Sequence, residues 1–217
     1  EQEVLAKYVG WGGLSQAFSE DDAAWASEHK VLQELFTKEE YQAARATVTD
    51  AFYTDQGIAK SMWETLKRFG FFQGNLLEPS LGIGNFFSIM DAGPMIHRYG
   101  VEIDPVSAHI AKQLYQKAEI TQAGLENTRY ENNFFDCVIG NVPFGDYQVA
   151  DARYDHFHLK IHEYFLIRSV DLMRAGGIAI LITAKGTLDG KNTSFRKLLA
   201  KKAVLLGAVR LRSEEHT

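Results

Sequence analysis

Apolar positions along the chain change rhythm near residue 75. Upstream they recur at helical spacing. Between Thr54 and Gly70, residues Ile58, Met62, Trp63, Leu66 and Phe69 fall on one helix face. Thr54 or Asp55 can cap the start of that helix and Gly70 can stop it. Thr37 followed by Glu40 makes a capping box for another helix through "KEEYQAARAT". Residues 1–50 therefore read as a helical extension interrupted by the glycine-rich "YVGWGGLSQAF". Downstream, short continuous apolar runs alternate with helical stretches. The runs are "NLLEPS", "RYGVEID", "FFDCVIGN", "GGIAILITA" and "VLLGAVRL"; between them lie "NFFSIMDA", "PVSAHIAKQLYQKA", "HEYFLIRSVDLMRAGG" and "NTSFRKLLAKKA". Strands buried on both faces are apolar throughout rather than alternating, and helices cover those faces. The pattern predicts an α/β fold over residues 51–217, a mostly parallel, doubly wound sheet.

Composition narrows this reading. A chain of 217 residues with 46% hydrophobic and 24% charged residues can bury a full core. A net charge of −5 argues against one broad nucleic-acid-binding surface. A local basic stretch remains, carrying Lys191, Arg196, Lys197, Lys201, Lys202, Arg210 and Arg212 with no acidic residue among them. Its simplest reading is a solvated helix face beside a strand. The lone Cys137 sits inside an apolar run, which predicts a packed thiol and no internal disulfide. No apolar run reaches the roughly 18 residues of a membrane span, and the N-terminus lacks a secretion-signal pattern. The expectation is a soluble, cytoplasmic protein with no membrane partner. A start at Glu1 rather than Met suggests a piece of something longer.

Ligands of such sheets bind beyond the carboxyl ends of the strands. After the first run, Gly82 and Gly84 permit a tight turn and close backbone approach to a ligand. After the second, Glu102 can accept hydrogen bonds from two ribose hydroxyls. Nicotinamide dinucleotides would use the same device, but Phe87 stands where their third glycine belongs. Glu78, just before the glycine turn, repels a pyrophosphate and attracts a cation such as an ammonium or a sulfonium, which favours S-adenosylmethionine. In "DCVIGNVPFGDY", Asn141 offers an acceptor oxygen, and Val142 is held extended by Pro143 so that its carbonyl can point outward. Phe144 adds a flat apolar face. Two acceptors and a ring suit a planar group bearing an NH2. The alternative is a plain turn, with Asn141 bonding its own backbone and Phe144 capping the core.

The series "AFYTD", "LLEPSLGIGNF", "YGVEID", "GLENT" and "VIGNVPFGDY" resembles the S-adenosylmethionine-dependent DNA adenine-N6 methyltransferases. With "YVGWGGLSQAF" ahead and "GTLDGKNTSFRKLLAKKA" behind, the chain is more narrowly similar to the methylase region of large methylase-helicase proteins of phages, plasmids and conjugative elements. The resemblance implies a Rossmann-like domain over 51–217 behind the helical extension 1–50. It also implies S-adenosylmethionine as cofactor, DNA as substrate, and a target-recognition or helicase region elsewhere in a longer restriction-modification or mobile-element protein. By the same resemblance Tyr53 and Thr54 pack over the cofactor; Glu78, Pro79, Gly82, Gly84 and Phe86 belong to its glycine motif; Glu102 and Ile103 hold the ribose end, and Glu126 contacts the adenine amine. Asn141, Val142, Pro143 and Phe144 match the catalytic Asn-Pro-Pro-Tyr/Phe motif, departing from it at Val142, where the family has proline. A last antiparallel strand is expected after "VLLGAVRL", so the sheet edge is incomplete in this reading.

Other readings stay open. The same fold and cofactor could serve an RNA base or a protein glutamine, or the domain could be an inactive binding module. "YVGWGGL" is a recognition loop or a packing device. Gly145-Asp146-Tyr147 and Asp151 shape the pocket mouth or form an ordinary polar loop. His156, His158 and His162 invite a metal reading, with His158 and His162 on one helix face. "HEYFL" lacks the second histidine of the zinc motif, and no metal is expected.

Overall fold

The computed structural model describes residues 1–8, 10–12, 14–46, 48, 54–90, 93–191 and 193–211. The N-terminal part holds α1 (Gln2–Leu5), α2 (Ala26–Leu35) and α3 (Lys38–Ala46), followed by α4 (Gln56–Arg68). Then come β1 (Gly74–Glu78), α5 (Asn85–Ile89), β2 (Ile96–Glu102), α6 (Pro105–Leu114), β3 (Glu119–Gln122) and β4 (Phe135–Asn141). The chain continues through α7 (Ile161–Leu172), β5 (Met173–Ile182), α8 (Gly186–Asp189) and α9 (Ser194–Ala200). Among the described residues the five strands form one parallel sheet in the order β3-β2-β1-β4-β5.

Successive strand residues divide the core between the two faces of this sheet, as the period of two requires. Leu76, Cys137 and Ile139 face one side, with Met62, Trp63 and Leu66 of α4 and Phe86 and Phe87 of α5. Leu77, Val101 and Val138 face the other, with Tyr164, Phe165 and Ile167 of α7 and Phe195 of α9. Cys137 is fully buried, and burial pushes its thiol far above the ordinary range, so it is a packed, unreactive group.

Local signals account for the helix ends. The Asp55 carboxylate accepts from the Gly57 and Ile58 N–H groups, and Gly70 ends α4 at φ +89°. Thr37 and Glu40 exchange the reciprocal bonds of a capping box at α3. A third cluster, around Phe18, Leu32 and Ala44, gives the N-terminal part its own apolar centre, against which Trp11 and Tyr41 pack. Both α1 and α3 contact α6, so the extension docks on the helix after β2.

Four sequence expectations differ from the structure. "VLLGAVRL" forms no strand among its described residues; Val204, Leu205, Leu206 and Val209 are exposed. An apolar run becomes a strand only when a sheet edge completes its hydrogen bonds, and among the described residues β5 pairs only with β4. The short, half-polar "EITQ" became edge strand β3 through pairing with β2, which its pattern does not announce. The helix read through to Gly177 stops at Leu172 because β5 begins there: Met173 pairs with Phe135 and Ile178 with Cys137, and the register shift between them forms a bulge with Gly176 at φ +75°. Phe69 is 59% exposed, since α4 unwinds there.

Leu76 is fully buried at the centre of the sheet. Leu76→Ala should cost about 2–5 kcal/mol of stability, whereas Val209→Ser should change it by less than about 0.5 kcal/mol. Urea unfolding midpoints of the two variants check both values.

Candidate active site

Parallel pairing brings the carboxyl ends of all five strands to one edge. Glu78 ends β1 opposite Gly100, Glu102 ends β2 opposite Gln122, and Asn141 ends β4 opposite Ile182. The loop leaving β1 spans these ends. Leu81 N–H donates to the Val101 carbonyl at 2.8 Å, and Gly82 N–H donates to the Glu102 carboxylate at 2.6 Å. On its other flank Ser80 Oγ donates to the Asn141 carbonyl at 2.5 Å. The glycine turn is thus hydrogen-bonded to both the predicted ribose acid and the predicted catalytic strand end.

Backbone conformation dictates both glycines. Gly82 and Gly84 have φ of +57° and +88°, a region that residues with a Cβ seldom enter. A Cβ on Gly84 would also sit 2.4 Å from the Tyr115 ring, whose hydroxyl donates to the Gly84 carbonyl at 2.8 Å. Tyr115, at the end of α6, therefore shapes the turn. Nothing in the local sequence pattern marks it, because the contact exists only once α6 packs beside α5.

The site is acidic and partly desolvated. Glu78 is 2% exposed, and burial, with a further contribution from the nearby Glu102 charge, raises its pKa well above the carboxylate range. Its Oε2 has no hydrogen-bond partner among the described residues. Burial also lifts Glu102 to about 7, although N–H groups of Asp104 and Gly82 partly offset the effect. Asp104 caps α6 through Ser107 N–H with one oxygen, while the other is buried without a partner among the described residues. Tyr8 of the N-terminal extension stands beside these acids. Its hydroxyl is driven up to about 12 by burial, then by Asp104, with Glu102 adding to the effect. Tyr8 also packs edge-on against Trp11, so this pair stands at the margin of the site.

The other predicted residues surround this centre at varied depth. Pro79 is buried at the loop start, and Ile103 is 69% exposed next to Glu102. Glu126 lies on a 3-10 turn at Leu125–Asn127 after β3, half-buried, with its Oε1 accepting from Asn127 Nδ2. Val142 turns its side chain into the core and donates its N–H to the Ile182 carbonyl, extending the strand. Pro143 and Phe144 are half-buried, the ring resting on the core beneath. Phe86 packs its ring in the core, where it braces α5 from below. Thr54 is half-buried just ahead of the α4 cap, and Tyr53 lies outside the described residues. His158 and His162 do not share a helix face: His158 is exposed before α7 at φ +52°, and His162 is buried within the helix. No group of three or more His, Cys, Asp or Glu side chains converges on a metal position among the described residues. A shallow cavity of about 450 Å³ lies at the opposite, amino edge of the sheet, by Gly74, His97, Asp136 and Arg174. Its charges are already matched, since Asp136 is bonded to Arg174 and to Asn75 N–H.

The chain is similar to known proteins. The Eco57I restriction-modification methylase family matches residues 112–215, a span that includes Glu126 and the Asn141–Phe144 segment. Defense against restriction protein B of Escherichia phage P1 is 29% identical over 217 residues; the match covers 97% of this chain and 8% of that protein. The chain therefore spans only a small part of the length of this relative. Among solved structures, the type I restriction-modification system methyltransferase subunit from Streptococcus thermophilus superposes with a TM-score of 0.60 at 18% identity, over 83% of this chain and 47% of that one. The fold is that of a Rossmann-like methyltransferase. Within that class the chain is similar to the restriction-modification methylases. No helix among the described residues is long and apolar enough to cross a membrane.

The turn and the acid that holds it can each be tested. Gly84→Ala should destabilise the chain by roughly 1–3 kcal/mol, because it forces a Cβ into a left-handed conformation and into the Tyr115 ring; thermal unfolding checks it. Glu102 holds its proton more tightly folded than its ordinary value of 4.5 allows, so its contribution to stability is complete at low pH and is lost as pH rises through about 7. Compared with Glu102→Gln, the unliganded parent should therefore lose stability as pH rises from about 4.5 to about 7 and level off above that. Equal slopes for the two proteins would contradict the assignment.

Proposed function

We propose that the chain transfers a methyl group from S-adenosylmethionine to the exocyclic N6 amine of adenine in DNA, as one part of a longer modification protein. The observation that carries this reading is the glycine turn held between Glu102 on one side and the Asn141 strand end on the other. Donor site and acceptor site then share one loop. The similarity to restriction-modification methylases supports DNA as the substrate.

The residues fit the cofactor. The unpartnered Glu78 Oε2 and the neighbouring carboxyls favour a cationic ligand over a pyrophosphate. Glu102 keeps lone pairs for ribose hydroxyls after accepting from Gly82 and Asp104. Ile103, exposed beside it, offers an apolar surface to the adenine ring. Glu126 would take the adenine amine, and the left-handed glycines leave room above the turn. When bound, S-adenosylmethionine supplies an electrophilic methyl on a sulfonium.

The rest is positioning by the chain. An adenine turned out of its duplex stacks on Phe144, and its two amine hydrogens are accepted by the Asn141 side chain and the Val142 carbonyl. That pairing draws the nitrogen lone pair out of conjugation and toward the methyl. The chain's part would be to hold that amine in line with the methyl the cofactor would supply, leaving the surplus amine proton to pass to solvent. Holding the nitrogen in line contributes several kcal/mol to lowering the barrier. The backbone at Val142 supports this role: its N–H is tied to Ile182 and its side chain is locked in the core, so a proline is not needed to keep it extended.

The basic stretch contributes less than its sequence suggests. Lys202 and Arg210 pair with Asp171 and Asp189, while Lys191, Lys197 and Lys201 are exposed before, within and just after α9. We assign target selection to regions of the longer protein outside this chain, consistent with its covering only 8% of the phage relative.

Asn141→Ala should lower methyl transfer by about 10²–10³-fold while changing cofactor affinity by less than about threefold. Labelled-methyl transfer to DNA, RNA and protein substrates, together with calorimetric titration of S-adenosylmethionine, measures both. Incorporation into RNA or glutamine but not DNA would overturn the substrate assignment, and loss of cofactor binding in the variant would make Asn141 a structural residue.

A further inference from the structure

The loop from Val142 to Lys160 carries the target-base segment but contains little regular structure. Its fixed point is Asp151, 7% exposed in a loop whose other acids, Asp146 and Asp155, are exposed. Asp151 Oδ1 accepts from Arg153 N–H and from Arg153 Nε at 2.8 Å; Oδ2 accepts from Arg153 Nη2 at 2.6 Å and from the Tyr164 hydroxyl of α7 at 2.8 Å. Burial pushes this carboxyl upward, but these donors outweigh it and hold it below the ordinary range. The guanidinium is therefore held in a fork geometry, with its orientation set by two parallel bonds.

That orientation has a second use. Arg153 Nη2 also donates to the Glu126 carbonyl at 2.9 Å. The 3-10 turn there is short, closed by Asn127 N–H to Gly124 and by Thr128 N–H and hydroxyl to Leu125, and is anchored below by the buried Leu125. One side chain thus bridges the loop after β4 to the turn after β3. We propose that Arg153 is a positioning residue that locks the Glu126 turn to the loop following Asn141, so that the cofactor's adenine pocket and the target-base pocket are set together. The effect on the cofactor rests on the function proposed above; the mechanical lock does not. Asp151 acts as its base, fixing the guanidinium through both carboxylate oxygens so that its Nη2 also reaches one carbonyl.

Hydrogen exchange on the ligand-free chain tests the lock directly. In Arg153→Met the amides of Asn127 and Thr128 should exchange at least about fivefold faster than in the parent, and in Arg153→Lys by a smaller factor, because a single ammonium cannot reproduce the fork. Tyr164→Phe, which removes one Asp151 donor and leaves the bridge, should leave those two amides unchanged. Unchanged exchange in both Arg153 variants would overturn the proposal, as would equal acceleration by Tyr164→Phe, which would mean general loosening. Should Arg153→Met fail to fold, Arg153→Lys and Tyr164→Phe decide the matter. Calorimetry then reads the consequence: the S-adenosylmethionine Kd should rise on the order of tenfold in Arg153→Met, and much less when Glu126→Ala is already present. A parent chain that binds no S-adenosylmethionine would sink the functional reading while leaving the exchange result to judge the lock.

Discussion

The carboxyl end of β2 imposes the constraint on which the site depends. Glu102 is the last residue of a central strand, and its side chain takes the N–H groups of Gly82 and Asp104, one on each oxygen. One carboxylate therefore fixes the glycine turn after β1 and the start of α6 together. Desolvating it is costly, and the hydrogen bonds from backbone N–H groups offset part of that cost. Glycine is needed at 82 and 84 for the same reason: a turn drawn this close to a strand end must pass through left-handed backbone.

The electrostatic character of the edge has the same origin. Glu102 lies within reach of both Glu78 and Asp104, and an oxygen of each of these two neighbours is buried without a partner among the described residues. Such a cluster is unfavourable in isolation, because like charges disfavour ionisation in a poorly solvated site. It becomes favourable when a cation or a set of hydroxyls arrives, so the unliganded chain gives up stability that the ligand restores. The N-terminal extension takes part in this arrangement. It docks on α6 through α1 and α3 and sets Tyr8 beside the same acids, with Trp11 packed against it at the site's margin.

The Asn141 side of the site is held differently. Asn141 and Val142 extend a central strand paired to β5, so their backbone is rigid. From Phe144 onward the chain leaves the sheet and relies on side-chain bonds for order, chiefly those around Asp151. Under the function proposed above, a rigid strand end beside a tethered loop suits a pocket that aims one nitrogen while admitting a bulky substrate. Ser80 links the two halves of the edge, since its hydroxyl reaches the Asn141 carbonyl from the turn that Glu102 holds.

Much of this was legible in the chain itself. The α4 helix with its Asp55 cap and Gly70 stop, four of the five strands, and the acids and amide at their carboxyl ends all derive from local periodicity and residue chemistry. These are short-range properties, encoded where they occur. Tertiary structure alone decided the rest. "EITQ" is a strand because β2 offers it an edge, and "VLLGAVRL" is not, because a ladder needs a partner that composition cannot supply. Phe86 went to the core, Tyr115 to Gly84, and Arg153 to the Glu126 carbonyl. Each of these depends on which elements pack side by side, and hydrogen bonds or contacts between segments distant in sequence leave no periodic trace along it.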